Sequence, residues 1–377
     1  MLLRTARIVP GTVVLQKWNR PHVHDQEFSL SFRVTSVVAL SLLGAVAAAP
    51  ATASAKAKGG DVKVMSRNIY LGADIITLAT APDLDSFKVN AARLFENVEA
   101  TDFTVRAPAL AKEIKAFKPD LIGLQEAAVW KTGPAGDPAA ANKVRYDFTK
   151  QLLAALRKQK QRYSVVVKQR EFDFEAPTAT QDVRLTMYDV ILKRSGSKVK
   201  TGAKKSGNYK EFFKVPTQAG LANVRRGWTS VDAKINGRSF RFVNTHLEAY
   251  SGDIGKAQIS QLLKKGGPLA SSKKPAILLG DFNSDPTDKT DGGGAYRALV
   301  SAKFTDVFAK PMQTFGQNEL LTNAKPVTNT SIDHIVYRPK KSFKVKNRKV
   351  IGTKPFQAKA PRWSSDHFGV QATLRVR

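Results

Sequence analysis

WTSVDAKINGRSFRFVNTHL, residues 228–247, is the stretch on which the fold turns. Asn236-Gly237 separates two strand-like runs, Trp228–Ile235 and Phe240–Leu247. An Asn-Gly pair readily takes the two left-handed positions of a tight hairpin turn, so the runs pair antiparallel. That argues against an all-parallel sheet. The second run ends in the polar group Asn244-Thr245-His246-Leu247. The same arrangement recurs outward along the chain. Leu121-Ile122-Gly123-Leu124 runs into Gln125-Glu126, and Ala276-Ile277-Leu278-Leu279 into Gly280-Asp281-Phe282-Asn283. Asp333-His334 and Asp366-His367 lie beside further apolar runs. Short apolar runs read as buried strands, and polar groups at several strand ends can converge on one site. Acids, amides and imidazoles suit a hard divalent cation and phosphate chemistry.

The remaining elements fill in around these runs. Val62–Tyr70 and Leu121–Glu126 read as strands, and Val105–Phe117 as an amphipathic helix stopped by Pro119. Ala139–Lys158 reads as a helix with an apolar face through Phe148, Leu152 and Leu156. Strands are expected at Tyr163–Lys168 and Leu185–Lys193, and helices at Ile254–Leu263 and Ala295–Ser301. The end is strand-rich, at Ser331–Arg338, Lys344–Ile351 and Gly369–Val376. Strands dominate and helices lie between them. The expected fold is α/β, with two packed, mostly antiparallel sheets and helices outside.

At 377 residues, 42% of them hydrophobic, the chain can bury a large core. It has no cysteine, which excludes disulfides, thiolate catalysis and cysteine-ligated zinc. Arg33 precedes an apolar stretch, Val37–Ala49, followed by the small-x-small pattern Ala53-Ser54-Ala55. This is the pattern of a secretory signal peptide cut after Ala55. Residues 1–55 are therefore expected to be a leader and 56–377 the working domain of a secreted protein. The formal charge is +30, and without the leader's five Lys/Arg and two Asp/Glu it is +27. Such a field attracts polyanions and anionic membrane surfaces. Part of it lies in Lys193–Lys210, whose Gly, Ser and Thr suit a mobile basic loop, with Tyr209, Phe212 and Phe213 adjoining.

Asn68, Leu124-Gln125-Glu126, Asn244-Thr245-His246-Leu247, Gly280-Asp281-Phe282-Asn283, Ile332-Asp333-His334 and Ser365-Asp366-His367 occur in an order that resembles the endonuclease/exonuclease/phosphatase superfamily, which includes DNase I-like nucleases, sphingomyelinases and inositol-phosphate phosphatases. The resemblance runs from about Val62 to Val376. It implies a four-layered α/β sandwich with a metal site at one end of the two sheets.

The same resemblance implies roles. Glu126 matches the main metal ligand, Asn68 the amide supporting it, and Asp366 a residue beside the metal. The expected cofactor is Mg²⁺, with Mn²⁺ or Ca²⁺ as alternatives. Asp281 would orient or deprotonate the attacking water and Asn283 stabilise developing charge. His246, as imidazolium, would neutralise the phosphorane-like state or protonate the leaving oxygen. His367 matches the essential histidine, with Asp333 fixing its tautomer. His334 reads as structural, and Arg184 and Asp189 remain candidate phosphate contacts. The expected protein is a monomeric, metal-dependent hydrolase of phosphodiesters, with nucleic acid the leading partner on charge. A sphingomyelinase-like or phosphoinositide-type lipid phosphoesterase is the alternative, and a non-catalytic binding protein on the same fold is the reading from another class.

Overall fold

The structure is a computed structural model, and it describes residues 59–271 and 274–377. The proposed leader, residues 1–55, lies outside the described residues. The strands are Gly60–Asn68 (β1), Leu121–Gln125 (β2), Val129–Pro134 (β3), Lys143–Asp147 (β4), Tyr163–Pro177 (β5), Gln181–Arg194 (β6), Lys200–Asn208 (β7), Phe213–Thr217 (β8), Gly220–Val224 (β9), Gly227–Ile235 (β10), Arg238–His246 (β11), Ala276–Asp281 (β12), Thr305–Asp306 (β13), Asp333–Arg338 (β14), Phe343–Ile351 (β15) and Gly369–Val376 (β16). The helices are Leu84–Ala100 (α1), Phe103–Phe117 (α2), Phe148–Lys158 (α3), Gly252–Leu263 (α4) and Gly294–Ser301 (α5).

Two sheets stack with helices on both outer faces, a four-layered α/β sandwich. The first sheet runs β15-β16-β1-β2-β6-β3-β4, with β5 on β6. Strands β2 and β3 follow one another along β6, opposite Val190–Lys193 and Gln181–Thr186 respectively. The second sheet runs β13-β14-β12-β11-β10-β7, and β8–β9 form a separate hairpin. Each large sheet holds one parallel pair at its centre, β1 with β2 and β11 with β12.

Side-chain parity explains the layers. Val62 and Val64 of β1, Phe240 and Phe242 of β11, and Ile277 and Leu279 of β12 fill the core between the sheets. Their neighbours Met65, Val243 and Leu278 face the outer helices. Alternation of this kind follows from the two-residue period of a strand. Counting on by twos, Asn68, His246 and Asp281 fall on the inner face at three strand ends. Asp333 does so at the start of the antiparallel β14, whose inner residues are Ile335 and Tyr337. Just beneath that end the sheets are tied by a polar layer. Gln125 donates to Asn244 Oδ1 at 2.5 Å, and Asn244 donates to the Leu124 carbonyl at 3.1 Å. Gly123 allows this approach, since a Cβ there would lie 2.3 Å from Leu279 and 2.5 Å from Asn244.

Several expectations are corrected. Lys193–Lys210 is no loop: half of it is β7, an exposed edge strand paired with β10, and Lys193–Arg194 end β6. Lysines on an edge strand discourage pairing with another chain, which accounts for the run. The Ala139–Lys158 helix starts only at Phe148. Lys143–Asp147 pairs with β3, and the Asp147 side chain then caps α3 by accepting from Lys150 N. The strands at Tyr163–Lys168 and Leu185–Lys193 belong to a longer hairpin, β5–β6, whose polar residues hide its length. Helix α1 and the hairpin β8–β9 were not foreseen. Asp83 caps α1, and Phe87, Ala91, Leu94 and Val98 give it a helical apolar stripe.

Candidate active site

Asp281, the last residue of β12, is the meeting point. Its Oδ2 accepts from Asn68 Nδ2 at 3.1 Å and lies 3.5 Å from His246 Nε2 and 3.6 Å from His367 Nε2. Its Oδ1 accepts from Asn283 N at 3.0 Å. One carboxylate thus touches residues from both sheets and from the C-terminal loop. Burial raises its pKa to about 6, opposed by His367 and reinforced by Asp333. That brings a base near working pH. Gly280, just before it, lets β12 run against β11, since a Cβ would strike the Thr245 carbonyl.

Glu126 is off the parity of β2 and is delivered by backbone conformation. Its φ is +56°, a left-handed value that costs a non-glycine residue about 1 kcal/mol. The surrounding contacts hold it there. Ala127 N donates to the Tyr188 carbonyl at 3.0 Å, and Leu71 N donates to Glu126 Oε2 at 2.7 Å. Asn68 Nδ2 donates to Glu126 Oε1 at 3.0 Å. The Asn68 oxygen is spent on Tyr70 N at 2.9 Å, which fixes the amide's orientation. Asn68 therefore positions Glu126 and Asp281 instead of offering a free oxygen ligand.

The two histidines differ. Asp333 Oδ2 lies 2.8 Å from His367 Nδ1. Burial alone would lower the His367 pKa, yet Asp333, Asp366 and Asp281 outweigh it and push it up to about 10. His367 is an imidazolium. His246 meets Arg226, whose Nη1 lies 3.1 Å from Nδ1. A guanidinium can only donate, so Nδ1 accepts and Nε2 carries the hydrogen. Burial, Arg226 and His367 hold the His246 pKa well below the usual histidine range. The expectation of an imidazolium at this position is corrected: His246 is a neutral donor, and the fixed positive charge beside it is Arg226.

Asn283 (φ +44°) gives one N–H to the Leu247 carbonyl at 3.0 Å, leaving its other amide hydrogen for the cleft. Asp366 and Glu126 line the same cleft. Burial raises Asp366 to about 7; His367 opposes this, and the nearby Glu126 adds to it. A buried carboxylate under such pressure with a second beside it fits a cation, and the pair's donor set is entirely oxygen, which suits a hard divalent ion. The triads Asp281–Asp333–His367 and Glu171–Asp189–His246 also bring ligand-type atoms within 4.8 Å. In each, the histidine Nδ1 is already engaged, by Asp333 or by Arg226, so neither triad is a free cage.

The cleft has a volume of about 460 Å³ between Asn283, His246, His367, Glu126, Phe315 and Tyr250. Among its lining residues are five carboxylates (Asp74, Glu126, Asp281, Glu319 and Asp366) and one arginine, Arg226. The lysines of β7 do not reach it. Arg184 is paired with Asp173 at 2.7 Å on the β5–β6 hairpin and does not line the cleft. Asp189 is buried behind His246 with Glu171. His334 lies apart, with Nδ1 2.9 Å from Asp306 and Nε2 3.0 Å from the Ser331 carbonyl, packed on Phe282 and Tyr296.

Sequence reasoning missed three arginines. Arg226 was reachable by register: pairing Ile235 with Arg238 across the Asn-Gly turn puts Gly227 opposite His246. Arg67 and Arg106 carry no such signal. Arg67 ties the His367 carbonyl (2.7 Å) to Glu113 on α2 (3.0 Å). Arg106 donates to the carbonyls of Ile69, Tyr70, Thr101 and Ser364 at 2.7–3.1 Å. Together they hold the loops that carry Glu126's partners and His367.

The comparisons agree with this geometry. The structure resembles an endonuclease/exonuclease/phosphatase family protein of Bacteroides thetaiotaomicron, with 20% identity over 85% of this chain and 99% of that one and a TM-score of 0.55. It also resembles the mannosyl-6-phosphatase of the same organism, with 21% identity over 83% and 99% and a TM-score of 0.53. A D. rerio TDP2 humanized by 14 mutations follows, with 16% identity over 83% and 98% and a TM-score of 0.50. At such identities the likeness is one of fold. No curated protein matches the sequence. A profile of the Endonuclease/Exonuclease/phosphatase family matches residues 89–367, a span that takes in Glu126, His246, Asp281, Asp333 and His367. The chain belongs to the Endonuclease/Exonuclease/phosphatase family, a family of phosphoesterases.

Proposed function

We propose that the chain is a divalent-metal-dependent hydrolase of phosphodiesters. The observation that carries this reading is Asp281 Oδ2, with Asn68 and both histidines within 3.1–3.6 Å, beside the carboxylates of Glu126 and Asp366. Glu126 and Asp366 would hold the ion, with Asn68 positioning Glu126; Mg²⁺ is the expected metal. When bound, such an ion polarises a phosphoryl oxygen and neutralises its charge.

The chain's own groups supply the rest. Asp281 takes the proton of the attacking water. The Nε2–H groups of His246 and His367 and the free amide hydrogen of Asn283 donate to phosphoryl oxygens as charge builds on them. Asp333 keeps His367 charged and oriented. A diester is favoured over a monoester because five carboxylates line the cleft and outnumber the charges of Arg226, the His367 imidazolium and a divalent ion together, which opposes a dianion more than a monoanion. Net charge alone points to nucleic acid, but the lysine-rich β7 lies off the cleft, so the charge does not choose the diester's substituents.

Bis(p-nitrophenyl) phosphate with Mg²⁺ tests the reaction. We expect turnover that EDTA abolishes and that Glu126→Gln lowers by about 10²-fold or more at fixed metal, the scale of losing a charge-stabilising element. Turnover that survives EDTA would refute it. Export is part of the same proposal, supported by Val37–Ala49 and Ala53-Ser54-Ala55. The secreted chain should then begin at or near Lys56 on N-terminal sequencing, and a full-length chain in the membrane fraction would count against cleavage.

A further inference from the structure

Beside the catalytic cleft lies a second cavity that no step of the hydrolysis uses. It is narrow, with an interior volume of about 40 Å³. Its walls are Ile75 and Leu78 from the segment after β1, Leu94 from α1, Leu185 from β6, and Val215 and Ala222 from the β8–β9 hairpin. Besides Tyr250, the polar groups of the lining are spent: Thr217 donates its hydroxyl to the Gly220 carbonyl at 2.7 Å and Trp130 its indole N–H to the Leu71 carbonyl at 2.8 Å. An apolar cavity of this kind stays dry.

The cavity is continuous with the cleft. Ile75, Phe172, Val224 and Tyr250 line both. The segments that form the wall also reach the cleft: Asp74 precedes Ile75 and lines it, and Arg226, which follows Val224 by two residues, lines it beside His246. A diester held at Asp281 therefore has one substituent placed at an apolar mouth. A nucleobase there would lose its hydrogen bonds to water and find only the Tyr250 hydroxyl. A hydrocarbon chain loses nothing and gains burial.

We propose that this slot takes one alkyl chain of a lipid phosphodiester. The inference rests on the phosphodiesterase reading above and adds the substrate class to it. The roof of the slot is the two-residue alternation of β8–β9, with Val215, Ala222 and Val224 inward and Lys214, Leu221 and Asn223 outward. Gln218 fastens the hairpin to the Pro82 carbonyl at 3.1 Å.

The test is a series of p-nitrophenyl alkyl phosphates, from methyl to octyl, kept below micelle-forming concentration with Mg²⁺ present. kcat/KM should rise with chain length, by at most about fourfold per methylene buried, and then level off when the slot is full. In Ala222→Leu the ratio of octyl to methyl kcat/KM should collapse toward one. A ratio is read because a loss of folded enzyme lowers both substrates together. Binding is followed separately through Trp130, which lines the slot. A bromoalkyl phosphate should quench its fluorescence, and the Trp130→Phe protein should lose that component. Rates that are flat from methyl to octyl in the wild type, with no quenching, overturn the slot while leaving the hydrolase intact. Quenching without hydrolysis of any ester would keep the slot and sink the hydrolase. Efficient cleavage of DNA or RNA with no dependence on chain length would also overturn the proposal.

Discussion

The end of the second sheet and the C-terminal loop each bring a histidine to Asp281, and they bring opposite charge states. His246 leaves β11 with Arg226 on its far nitrogen and is neutral; His367 sits before β16 with Asp333 on its far nitrogen and is charged. Both are buried, so burial alone pushes both toward neutrality. What separates them is the charge around each ring: Arg226 on Nδ1 of His246, against Asp333 on Nδ1 of His367 with Asp366 beside it. The lesson is that a motif histidine's protonation is set by a partner distant in sequence: Asp333 lies 34 residues from His367 and Arg226 lies 20 from His246.

The largest expected effect comes from the charged member. His367→Ala should lower kcat on bis(p-nitrophenyl) phosphate by about 10³-fold, and Asp333→Asn by a similar amount, because the imidazolium would no longer be held. If Asp333→Asn kept full activity, the charge assigned to His367 would be wrong. The neutral member is tested through its partner. Arg226→Leu should cost about 10²-fold in kcat, and the His246 pKa should rise while staying below the ordinary histidine range, because burial still opposes the charge, so the pH–rate profile should change on its acid side. An unchanged profile would dissociate Arg226 from the ring.

The smallest effect on rate belongs to His334, which sharpens the contrast from outside the cleft. His334→Gln should leave kcat within about twofold and cost about 2 kcal/mol in a urea titration, since Asp306 loses its charged partner. Burial works against the charge on His334, but Asp306 overcomes it and raises the pKa. A group with a raised folded pKa contributes fully below its unfolded value and loses that contribution as pH rises through the folded one. The deficit of the variant should therefore be largest in acid, below about pH 6.5, and shrink in alkali. A kcat loss matching that of His367→Ala would reassign His334.

Much of the fold was legible because strand parity is a local property. The β11 and β12 runs, the Asn-Gly turn and Gly369–Val376 could be read directly, and with them the strand ends that carry Asn68, His246, Asp281 and Asp333. Two things were hidden. Helix propensity in Ala139–Ala141 extended a helix that tertiary pairing of β4 with β3 cuts short. Glu126 was found by resemblance, since counting by twos puts it on the outer face, and a left-handed backbone turns it into the cleft. The apolar slot had no local signature at all. Its lining comes from seven separate elements and a loop, so it appears only when they pack.

The charge split between the two histidines is most directly tested by ¹⁵N NMR of histidine-labelled, metal-free protein across pH 5 to 9. His367 should stay an imidazolium throughout, while His246 should remain neutral with its hydrogen on Nε2, each assigned by the loss of its signal in the alanine variant. Two rings that titrate together near the ordinary histidine value, or a charged His246, would contradict it.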